Sequence, residues 1–521
     1  MPSTFRRLCR VSPMCSVLMT GAAAGLIFCA ASTARSQDAP PASPPAAPAT
    51  DAPPSKDARD VWAGAVEPPN GHKLDFVIEL SRAGEAADWS GSISIPAQNY
   101  KGPLTITTIA TDRMVFTAPL AGAPEAAWPA FDLTIDETGN AARGTMKQSG
   151  FTMKASLDRK KPGDVAALGP PRPQHPAPPY PYTVRDVTFT NPRGKHTLAG
   201  TLTIPSTPGR HPAVVLLTGS GPQDRDATLF AHKPFLVIAD RLTREGMVVL
   251  RVDDRGVGAS TLPEGVDGGA VTSDDLASDA RAAFSFLSTQ PEVDARRAGL
   301  MGHSEGGLLA MLAAREISPA FVVLLAGPGL RGAELMKLQN RALLEAAGVN
   351  GAALDAMVDA QARAMDILLR GGTRQELEAA VRETAAAQRQ LTGLDPDSPQ
   401  GQAMLQAQLA MADSAWFRRF VALDPAPLIE ALKMPVLALN GSLDRQVTPA
   451  ENLAAIRAAL ERGGNQDITV RELPGLNHLF QTCRTGAPGE YGSIEETFAP
   501  AALDAIVEWL TPRFIRPAEA P

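Results

Sequence analysis

The strongest chemical signal in the sequence is the pentapeptide Gly302-His303-Ser304-Glu305-Gly306. It follows a short apolar run (298–301) that is typical of a buried strand, and a helical pattern begins at its last glycine. Glycine at both ends of so tight a turn removes side chains that would collide with it, while the serine is held in an unusual backbone conformation. This is the pattern of a nucleophile elbow, in which a serine hydroxyl stands clear of a sheet. Ser304 is therefore a candidate nucleophile; the alternative is a glycine-rich turn with an inert serine.

A serine hydroxyl becomes a nucleophile at neutral pH when a neighbouring base takes its proton. Of the seven histidines in the sequence, His478 alone follows the last apolar run of strand type (468–473). From there an imidazole can reach Ser304. The loop after the preceding run carries Asp444, which would orient the imidazole and stabilise its charged form. We therefore predict a triad of Ser304, Asp444 and His478, in the chain order that α/β-hydrolases use.

A glycine-rich loop after another apolar run (213–218) is predicted to stabilise the negative charge that such an attack creates. Its sequence is Gly219-Ser220-Gly221-Pro222, in the position from which α/β-hydrolases supply one backbone N–H of the oxyanion hole. We assign that N–H to Ser220 and the second one to Glu305, the residue after the nucleophile. A phosphate-binding loop is the alternative, but the sequence lacks a following Lys-Ser/Thr pair and the G-x-G-x-x-G spacing.

Four strings of the sequence resemble one branch of a known superfamily. They are Thr218–Asp226, His232-Lys233-Pro234-Phe235, Asp253–Gly258 and Gly302–Gly307. Together they are similar to the bacterial esterase-D-type branch of the serine-aminopeptidase-like α/β-hydrolases, and the resemblance covers roughly residues 180–515. It implies carboxylesterase activity on small esters, with no cofactor and no metal.

The elements that must position these residues alternate between strand and helix patterns. Apolar runs at 213–218, 247–252, 298–301, 321–325, 436–439 and 468–473 predict strands, and helical spacing recurs at 235–245, 274–289, 306–315, 450–462 and 500–514. Such alternation indicates a mostly parallel sheet with helices on both faces. We predict an α/β-hydrolase fold over residues 183–516, opened by an antiparallel hairpin.

The stretch between Ser304 and Asp444 is far longer than the about 30 residues that one strand–helix–strand passage needs. The surplus, about 329–430, has helical spacing throughout, and we predict that it forms a helical cap over the active site. Most of its apolar side chains should pack the cap onto the core. We expect a few of them to line the acyl pocket, because methionine adapts to varied shapes and aromatic rings offer large apolar surfaces. The predicted lining is Met411, Trp416 and Phe417 from the cap, together with His232 from the loop after the oxyanion segment.

Residues 61–158 show the alternation of a small all-β domain. Leu74, Phe76, Ile78 and Leu80 alternate with polar residues, and the same period of two returns near Phe131. Three of the five tryptophans lie here, at positions 62, 89 and 128. The simpler interpretation is that they fill the core of a barrel or sandwich. The alternative is that exposed rings bind carbohydrate or lipid.

The first 36 residues are predicted to be a signal peptide. Three arginines stand within the first ten residues, an apolar run follows at about 16–31, and small residues near 32–36 offer a cleavage site. A membrane anchor is the alternative, but the run is interrupted by Thr20-Gly21 and is short for a span. We therefore expect an exported protein, periplasmic or extracellular, without a stable membrane anchor.

Two proline-rich segments divide the rest of the chain. Residues 37–60 and 159–182 hold few apolar side chains and are predicted to be extended linkers on either side of the all-β domain. After removal of the signal peptide, Cys483 is the one remaining cysteine. A single thiol makes no internal disulfide, so the stability of the mature protein must come from its core.

The composition of this 521-residue chain is that of a globular protein with a formal net charge of −7. No basic patch indicates nucleic acid as a partner. The sequence predicts a secreted serine carboxylesterase that hydrolyses small, short-acyl esters through an acyl-enzyme. A serine aminopeptidase, a lactonase or a thioesterase would use the same triad and stays open. So does a different class, a carbohydrate- or lipid-binding protein with a vestigial hydrolase domain.

Overall fold

The computed structural model describes residues 58–67, 74–82, 88–95, 100–119, 128–148, 151–161, 171–392 and 395–516. The predicted signal peptide (1–36) and almost all of the first linker (37–60) lie outside the described residues. The described residues divide into two compact units, one that ends at residue 161 and one that begins at residue 171.

The described part of the N-terminal unit is one antiparallel sheet of nine strands, in the order β4-β3-β2-β1-β9-β8-β7-β6-β5. Its first and last strands are neighbours in the middle of the sheet, where Val61 pairs with Lys160. The all-β prediction for this region is confirmed. The strands are β1 (Ala58–Glu67), β2 (Leu74–Arg82), β3 (Ser90–Ile95), β4 (Tyr100–Pro103), β5 (Thr105–Ile109), β6 (Arg113–Thr117), β7 (Ala130–Ile135), β8 (Ala141–Gln148) and β9 (Phe151–Lys160).

Alternate residues of these strands form a single apolar core. Trp62 is fully buried in it, and the rings of Phe116 and Phe131 stack with their centroids 4.8 Å apart. Trp89 is half-buried, packs against this core and carries the guanidinium of Arg82 on its ring at 4.9 Å. The structure thus places Trp62 in the core, as the simpler interpretation of the tryptophans predicts.

The second unit is built on an eight-stranded sheet in the order β10-β11-β13-β12-β14-β15-β16-β17. The β10–β11 and β11–β13 pairs are antiparallel and the remaining pairs are parallel. This is the α/β-hydrolase sheet, so the predicted fold class is confirmed for the sheet and for the β region before it. The strands are β10 (Tyr182–Asn191), β11 (His196–Pro205), β12 (His211–Leu217), β13 (Val248–Val252), β14 (Val293–His303), β15 (Val322–Leu325), β16 (Val436–Gly441) and β17 (Ile468–Leu473).

Helices cover both faces of this sheet. Successive residues of β14 show it, because Leu300 lies in one apolar cluster and Met301 in the other. Helices α2, α3 and α10 contribute to the first cluster, and α1 and α11 to the second. The helices outside the long insertion are α1 (Pro234–Arg244), α2 (Ser273–Ser288), α3 (Glu305–Ala314), α10 (Pro449–Arg462) and α11 (Pro500–Leu510).

The insertion between β15 and β16 is helical in its described residues. Its helices are α4 (Gly332–Ala346), α5 (Gly351–Leu369), α6 (Arg374–Thr392), α7 (Pro399–Asp413), α8 (Ala415–Ala422) and α9 (Ala426–Glu430). Two small apolar clusters hold them to one another, one around Leu344 and Val358 and the other around Leu377 and Leu405. The side chains of Phe420 and Val421 in α8 join the core of the hydrolase sheet.

Residues 171–181, the second half of the predicted linker 159–182, are fixed to the second unit. The Arg172 guanidinium donates hydrogen bonds to the carbonyl oxygens of Ile494 (2.6 Å), Phe230 (2.9 Å) and Gly492 (3.0 Å). The Gln174 amide bonds the backbone of Thr497 and Phe498 through three further hydrogen bonds of 2.6–2.9 Å. This half of the segment is therefore not a free spacer, because its polar side chains satisfy backbone groups of the loop at 491–498.

Candidate active site

Ser304 occupies a strained turn between strand β14 and helix α3. Its φ is 55° and its ψ is −124°, a left-handed backbone that residues with a Cβ rarely adopt. The flanking glycines allow the turn: a Cβ on Gly302 would lie 2.0 Å from the Gly306 oxygen, and a Cβ on Gly306 would lie 2.1 Å from the Leu217 oxygen. The Ser304 N–H donates to the Leu325 oxygen at 2.8 Å. The local geometry is that of a nucleophile elbow at the carboxyl end of a central strand.

Asp444 and His478 meet at the carboxyl ends of β16 and β17. The His478 Nδ1–H donates to Asp444 Oδ2 at 2.8 Å, since a carboxylate can only accept. The other carboxylate oxygen accepts the N–H groups of Gln446 (2.7 Å) and Val447 (2.9 Å). Both side chains are buried. With its proton held on Nδ1, the imidazole keeps Nε2 as the atom that can accept a proton.

The elbow and the loop that carries His478 are joined directly. His303 Nε2 lies 2.8 Å from the His478 carbonyl oxygen, which can only accept, so Nε2 carries the proton of this contact. The two imidazole rings are 4.8 Å apart. Burial, and then the nearby His478, lower the pKa of His303 to about 3. His303 is therefore a neutral donor at ambient pH and holds the loop of the candidate base against the elbow.

The predicted oxyanion loop lies against the nucleophile. A Cβ on Gly219 would lie 3.2 Å from the Ser304 Cβ. Asp254 supports this loop, because its two carboxyl oxygens accept from the Thr218 hydroxyl (2.7 Å) and the Gln223 N–H (2.9 Å). Residue 254 as a whole is only partly buried, yet the desolvation of its carboxyl raises the pKa to about 7.

The buried side chain of Glu305 accepts several hydrogen bonds. This role could not be predicted from the sequence, which assigned a function only to the backbone N–H of Glu305. This residue is 1% exposed, and its carboxyl accepts from the Ser273 hydroxyl at 2.6 Å and from the Trp416 indole N–H at 2.9 and 3.1 Å. Burial raises the pKa of Glu305, against the hydrogen bonds from Ser273, Trp416 and Ser220. One signal was available: the sequence of α3 is EGGLLAMLAA, so its single ionisable residue opens an otherwise apolar helix.

His232 lies in a buried network rather than at an open surface. Its ring Nε2 lies 2.9 Å from the Tyr491 carbonyl oxygen, and Nδ1 lies 3.0 Å from the Thr497 hydroxyl. The same Nε2 also lies 2.9 Å from the side-chain amide nitrogen of Gln481. Burial is the main cause that lowers the pKa of this histidine to about 4. With 1% of the residue exposed, this placement gives no support to the prediction that His232 lines a substrate pocket; the side chain ties two loops together instead.

The other predicted pocket residues lie on the last helices of the insertion. Met411 belongs to α7 and is half-buried, while Trp416 and Phe417 belong to α8 and pack partly against the core of the sheet. The Trp416 ring stacks on Phe420 with the centroids 5.4 Å apart and the planes at 18°. Through its bond to Glu305, Trp416 connects the insertion to the elbow.

Two properties of the described residues bear on the kind of site. No set of three or more His, Cys, Asp or Glu side chains in the described ranges could hold a metal ion. Of the helices that the structure describes, none has the length and apolar character to cross a membrane.

Comparisons with known proteins agree with the motif resemblance. Residues 233–482 match the family model described as serine aminopeptidase, S33. The esterase EstD of Thermotoga maritima is 27% identical over 318 residues, which are 60% of this chain and 65% of the relative. The chain thus spans about two thirds of the length of this relative. The resemblance to the serine-aminopeptidase-like α/β-hydrolases and to an esterase-D-type protein is confirmed.

Solved structures with a similar chain course include two enzymes from other organisms. A Pyrococcus furiosus esterase gives a TM-score of 0.40 at 16% identity, over 67% of this chain and 99% of its own. The α/β-hydrolase GrgF of a Penicillium species gives a TM-score of 0.39 at 18% identity, over 64% of this chain and 99% of its own.

Proposed function

We propose that this relative of the S33 serine aminopeptidases is a serine carboxylesterase that hydrolyses small, short-acyl esters. The observation that carries the proposal is the His478–Asp444 pair, which leaves Nε2 of His478 available, on a loop that His303 of the strained Ser304 elbow holds through the His478 carbonyl oxygen. The relative EstD is named an esterase, which supports ester hydrolysis rather than peptide hydrolysis for this chain.

The first half of the reaction forms an acyl-enzyme. Ser304 Oγ attacks the ester carbonyl carbon while its proton moves to His478 Nε2, and Asp444 stabilises the imidazolium through Nδ1. The carbonyl oxygen becomes an oxyanion that accepts from the N–H groups of Glu305 and Ser220. The C–O bond to the alcohol then breaks, and His478 returns the proton to the departing alkoxide.

The second half releases the acid. A water molecule gives a proton to His478 Nε2 and attacks the acyl carbon, so that a second oxyanion forms at the same two N–H groups. When the bond to Ser304 Oγ breaks, the imidazolium returns its proton to that oxygen. The enzyme is then regenerated without a cofactor.

Helices α4–α9 act in this proposal as a cap that bounds the acyl pocket, with Met411, Trp416 and Phe417 as lining residues. The contact between Trp416 and Glu305 supports a position of α8 beside the nucleophile. A bounded pocket favours short acyl chains, so turnover should fall as the chain grows from acetyl to octanoyl.

Aminopeptidase activity would require unpaired acidic groups for the ammonium of the substrate. Several acids of the insertion are paired instead, as in Arg341–Asp355 (2.8 Å) and Arg370–Glu376 (2.6 Å), both at an exposed surface. This pairing is typical of a solvated helix face and favours the esterase over the peptidase.

A substrate panel tests the proposal. We expect hydrolysis of 4-nitrophenyl acetate and butyrate, little hydrolysis of alanine or proline 4-nitroanilide, and labelling by a fluorophosphonate that the Ser304→Ala variant abolishes. Comparable turnover of the anilides would favour the peptidase, whereas absent labelling of the unmodified protein would favour a vestigial hydrolase domain.

We also propose that the protein is exported, on the basis of the basic and apolar N-terminal segment of the sequence. N-terminal sequencing of the mature protein from fractionated cells should give a start near residue 35–37 outside the cytoplasm. Recovery of Met1 or Pro2 would contradict export by cleavage.

A further inference from the structure

The buried carboxyl of Glu305 has no part in the reaction as derived above, which uses only the N–H of that residue. It opens helix α3 directly after the nucleophile and is 1% exposed. Burying a carboxyl group is unfavourable unless hydrogen bonds compensate for the lost water. The hydrogen bonds of the Glu305 carboxyl therefore indicate which parts of the fold this residue holds in place.

Two separate parts of the fold donate to this one carboxyl, and a third lies close to it. The Ser273 hydroxyl, from the N-terminus of α2, donates at 2.6 Å. The Trp416 indole N–H, from α8 of the insertion, lies 2.9 and 3.1 Å from the two carboxyl oxygens. The Ser220 hydroxyl, from the oxyanion loop, is near enough to lower the pKa of this carboxyl against the effect of burial. The core, the insertion and the oxyanion loop thus converge on Glu305.

Two of the connected residues are the proposed oxyanion donors themselves. Ser220 and Glu305 each offer a backbone N–H, and the hydrogen bonds from Ser273 and Trp416 to the Glu305 carboxyl hold the residue that carries one of those two groups. Trp416 is a rigid donor in this network because its ring stacks on Phe420 at 5.4 Å. A shift of α8 would consequently pull on the carboxyl of the residue that carries one of the two N–H groups.

We propose that Glu305 is a positioning residue that couples the seating of helix α8 to the geometry of the oxyanion hole. The inference rests on the proposed esterase function and deepens it. It assigns to Trp416 a role in aligning the oxyanion donors, beyond any contact with the acyl chain.

The test compares two substitutions on the same helix. Trp416→Phe keeps an aromatic ring but removes the N–H that reaches Glu305. The matched control, Arg419→Gln, removes the partly exposed ion pair of Arg419 with Asp274, whose second contact is 3.1 Å, while the buried Phe420 and Val421 keep α8 seated and the Trp416–Glu305 hydrogen bond stays in place. Removal of one oxyanion donor lowers kcat by about 10²–10³-fold, so a misaligned pair of donors should cost about tenfold. We expect that loss in Trp416→Phe with KM within about twofold, and near-unchanged kinetics in Arg419→Gln.

Two further readouts separate alignment from pocket shape. A loss of oxyanion stabilisation is the same for acetyl, butyryl and hexanoyl esters, since every ester develops the same charge, whereas a damaged pocket changes the chain-length preference. Affinity for a phenylboronic acid, which forms a tetrahedral adduct on the serine, should fall by the same factor as kcat. Glu305→Gln should lower kcat in the same direction, and its thermal unfolding temperature shows whether the variant is folded.

The outcomes are distinct. Equal kinetics in Trp416→Phe and the unmodified protein, equal losses in both α8 variants, or a loss that depends on acyl length would each overturn the coupling. If the unmodified protein neither turns over aryl esters nor reacts with a fluorophosphonate, the proposed function fails and the inference fails with it.

Discussion

The two units of the molecule differ in what their cores contain. In the N-terminal unit, the residues whose burial the structure describes include buried aromatic and aliphatic side chains such as Trp62, Phe76 and Phe116, but no buried polar or charged side chain. The second unit buries many polar side chains, from Asn191 in β10 to Thr497 near the C-terminus. Both units are sheet-based, so the kind of fold alone does not explain the difference.

Buried polar groups weaken a fold unless each one is hydrogen-bonded. The second unit retains Asp444, His478, Glu305 and Asn477 in its interior, all in or next to the candidate site. Some of its buried polar contacts serve structure alone, as where Asp279 accepts from Asn191 (2.6 Å) and Arg255 (2.6 Å). The comparison indicates that chemistry resides in the second unit and that the core of the first unit is structural.

The largest expected effect comes from substitutions that remove the candidate catalytic residues of the second unit. A substitution in the first unit serves as the control. Ser304→Ala and His478→Ala should each lower ester turnover by about 10⁶-fold, and the double variant should be little worse because the residues act as one unit. Ser92→Ala, which removes a hydroxyl on the N-terminal sheet, should leave turnover unchanged. Steady-state assays with 4-nitrophenyl acetate measure all four. A large loss in Ser92→Ala would refute the division of labour.

The second effect concerns the acid of the triad. Asp444→Asn keeps the shape of the side chain but no longer favours a proton on Nδ1 of His478, so we expect a loss of about 10⁴-fold in kcat. This loss is smaller than that of Ser304→Ala in the same assay. Full activity in Asp444→Asn would show that another residue supplies the acid.

The third effect tests where the second unit begins. A chain that starts at Pro171 contains the whole described second unit. It should unfold at the same temperature as the second unit within the full-length protein, and it should hydrolyse small esters. One that starts at Tyr180 loses the hydrogen bonds of Arg172 and Gln174, each of which contributes about 1 kcal/mol. We expect its unfolding temperature, measured by circular dichroism, to be lower by about 5 °C or more.

A point variant refines this truncation experiment. Arg172→Ala should lower the unfolding temperature, whereas Arg296→Ala, which removes a side chain that is 91% exposed, should not. Equal stability of the two truncated chains would show that residues 171–179 add nothing to the second unit.

The smallest effect is a pH dependence of stability that differs between the units. Asp254 has a pKa of about 7 in the folded second unit, above its unfolded value of 3.8. The folded state therefore holds a proton that the unfolded state lacks between pH 4 and 7, and this contribution to stability declines as pH rises through that window. The free energy of unfolding of Asp254→Asn relative to the unmodified protein should rise from pH 5 to pH 7, by up to about 1.4 kcal/mol per pH unit, as denaturant titrations at each pH would measure.

The matching carboxyl in the N-terminal unit is expected to behave differently. The hydrogen bond from Arg113 lowers the pKa of Asp132, so its contribution is complete above pH 4 and is lost only at lower pH. The stability difference between Asp132→Asn and the unmodified protein should stay constant from pH 5 to pH 8. The same slope in both variants would contradict the contrast.

Local sequence rules were sufficient for the parts of the molecule that follow from short segments. Gly302 and Gly306 predict the elbow because the turn admits no other residues. The alternation of apolar and polar residues predicts the N-terminal sheet, and the apolar runs between helical segments predict the second sheet. The hydrogen bond between Asp444 and His478 agrees with their positions after successive strands. These features depend on sequence distance along one element or on the order of the elements.

Features that depend on contacts between distant parts of the chain could not be predicted from the sequence. The hydrogen-bond partners of the Glu305 carboxyl come from positions 273 and 416, and no periodic pattern connects them. Arg172 and Gln174 bind mainly backbone groups, which carry no residue-type signature. His232 has a polar side chain typical of a pocket, but two distant loops enclose it.

The central pairing of β1 with β9 has a mechanical consequence. The chain enters the N-terminal unit at the start of β1 and leaves it at the end of β9, and these two points lie at the same end of one antiparallel ladder. Tension between the two ends would load the Val61–Lys160 pair first and then each later pair in turn, as a zipper opens. Hydrogen bonds that break singly resist less force than bonds loaded together. If the protein is held at its N-terminus and pulled from its C-terminal side, β1 and β9 should separate at low force. The residues of these two strands would then extend and lengthen the molecule.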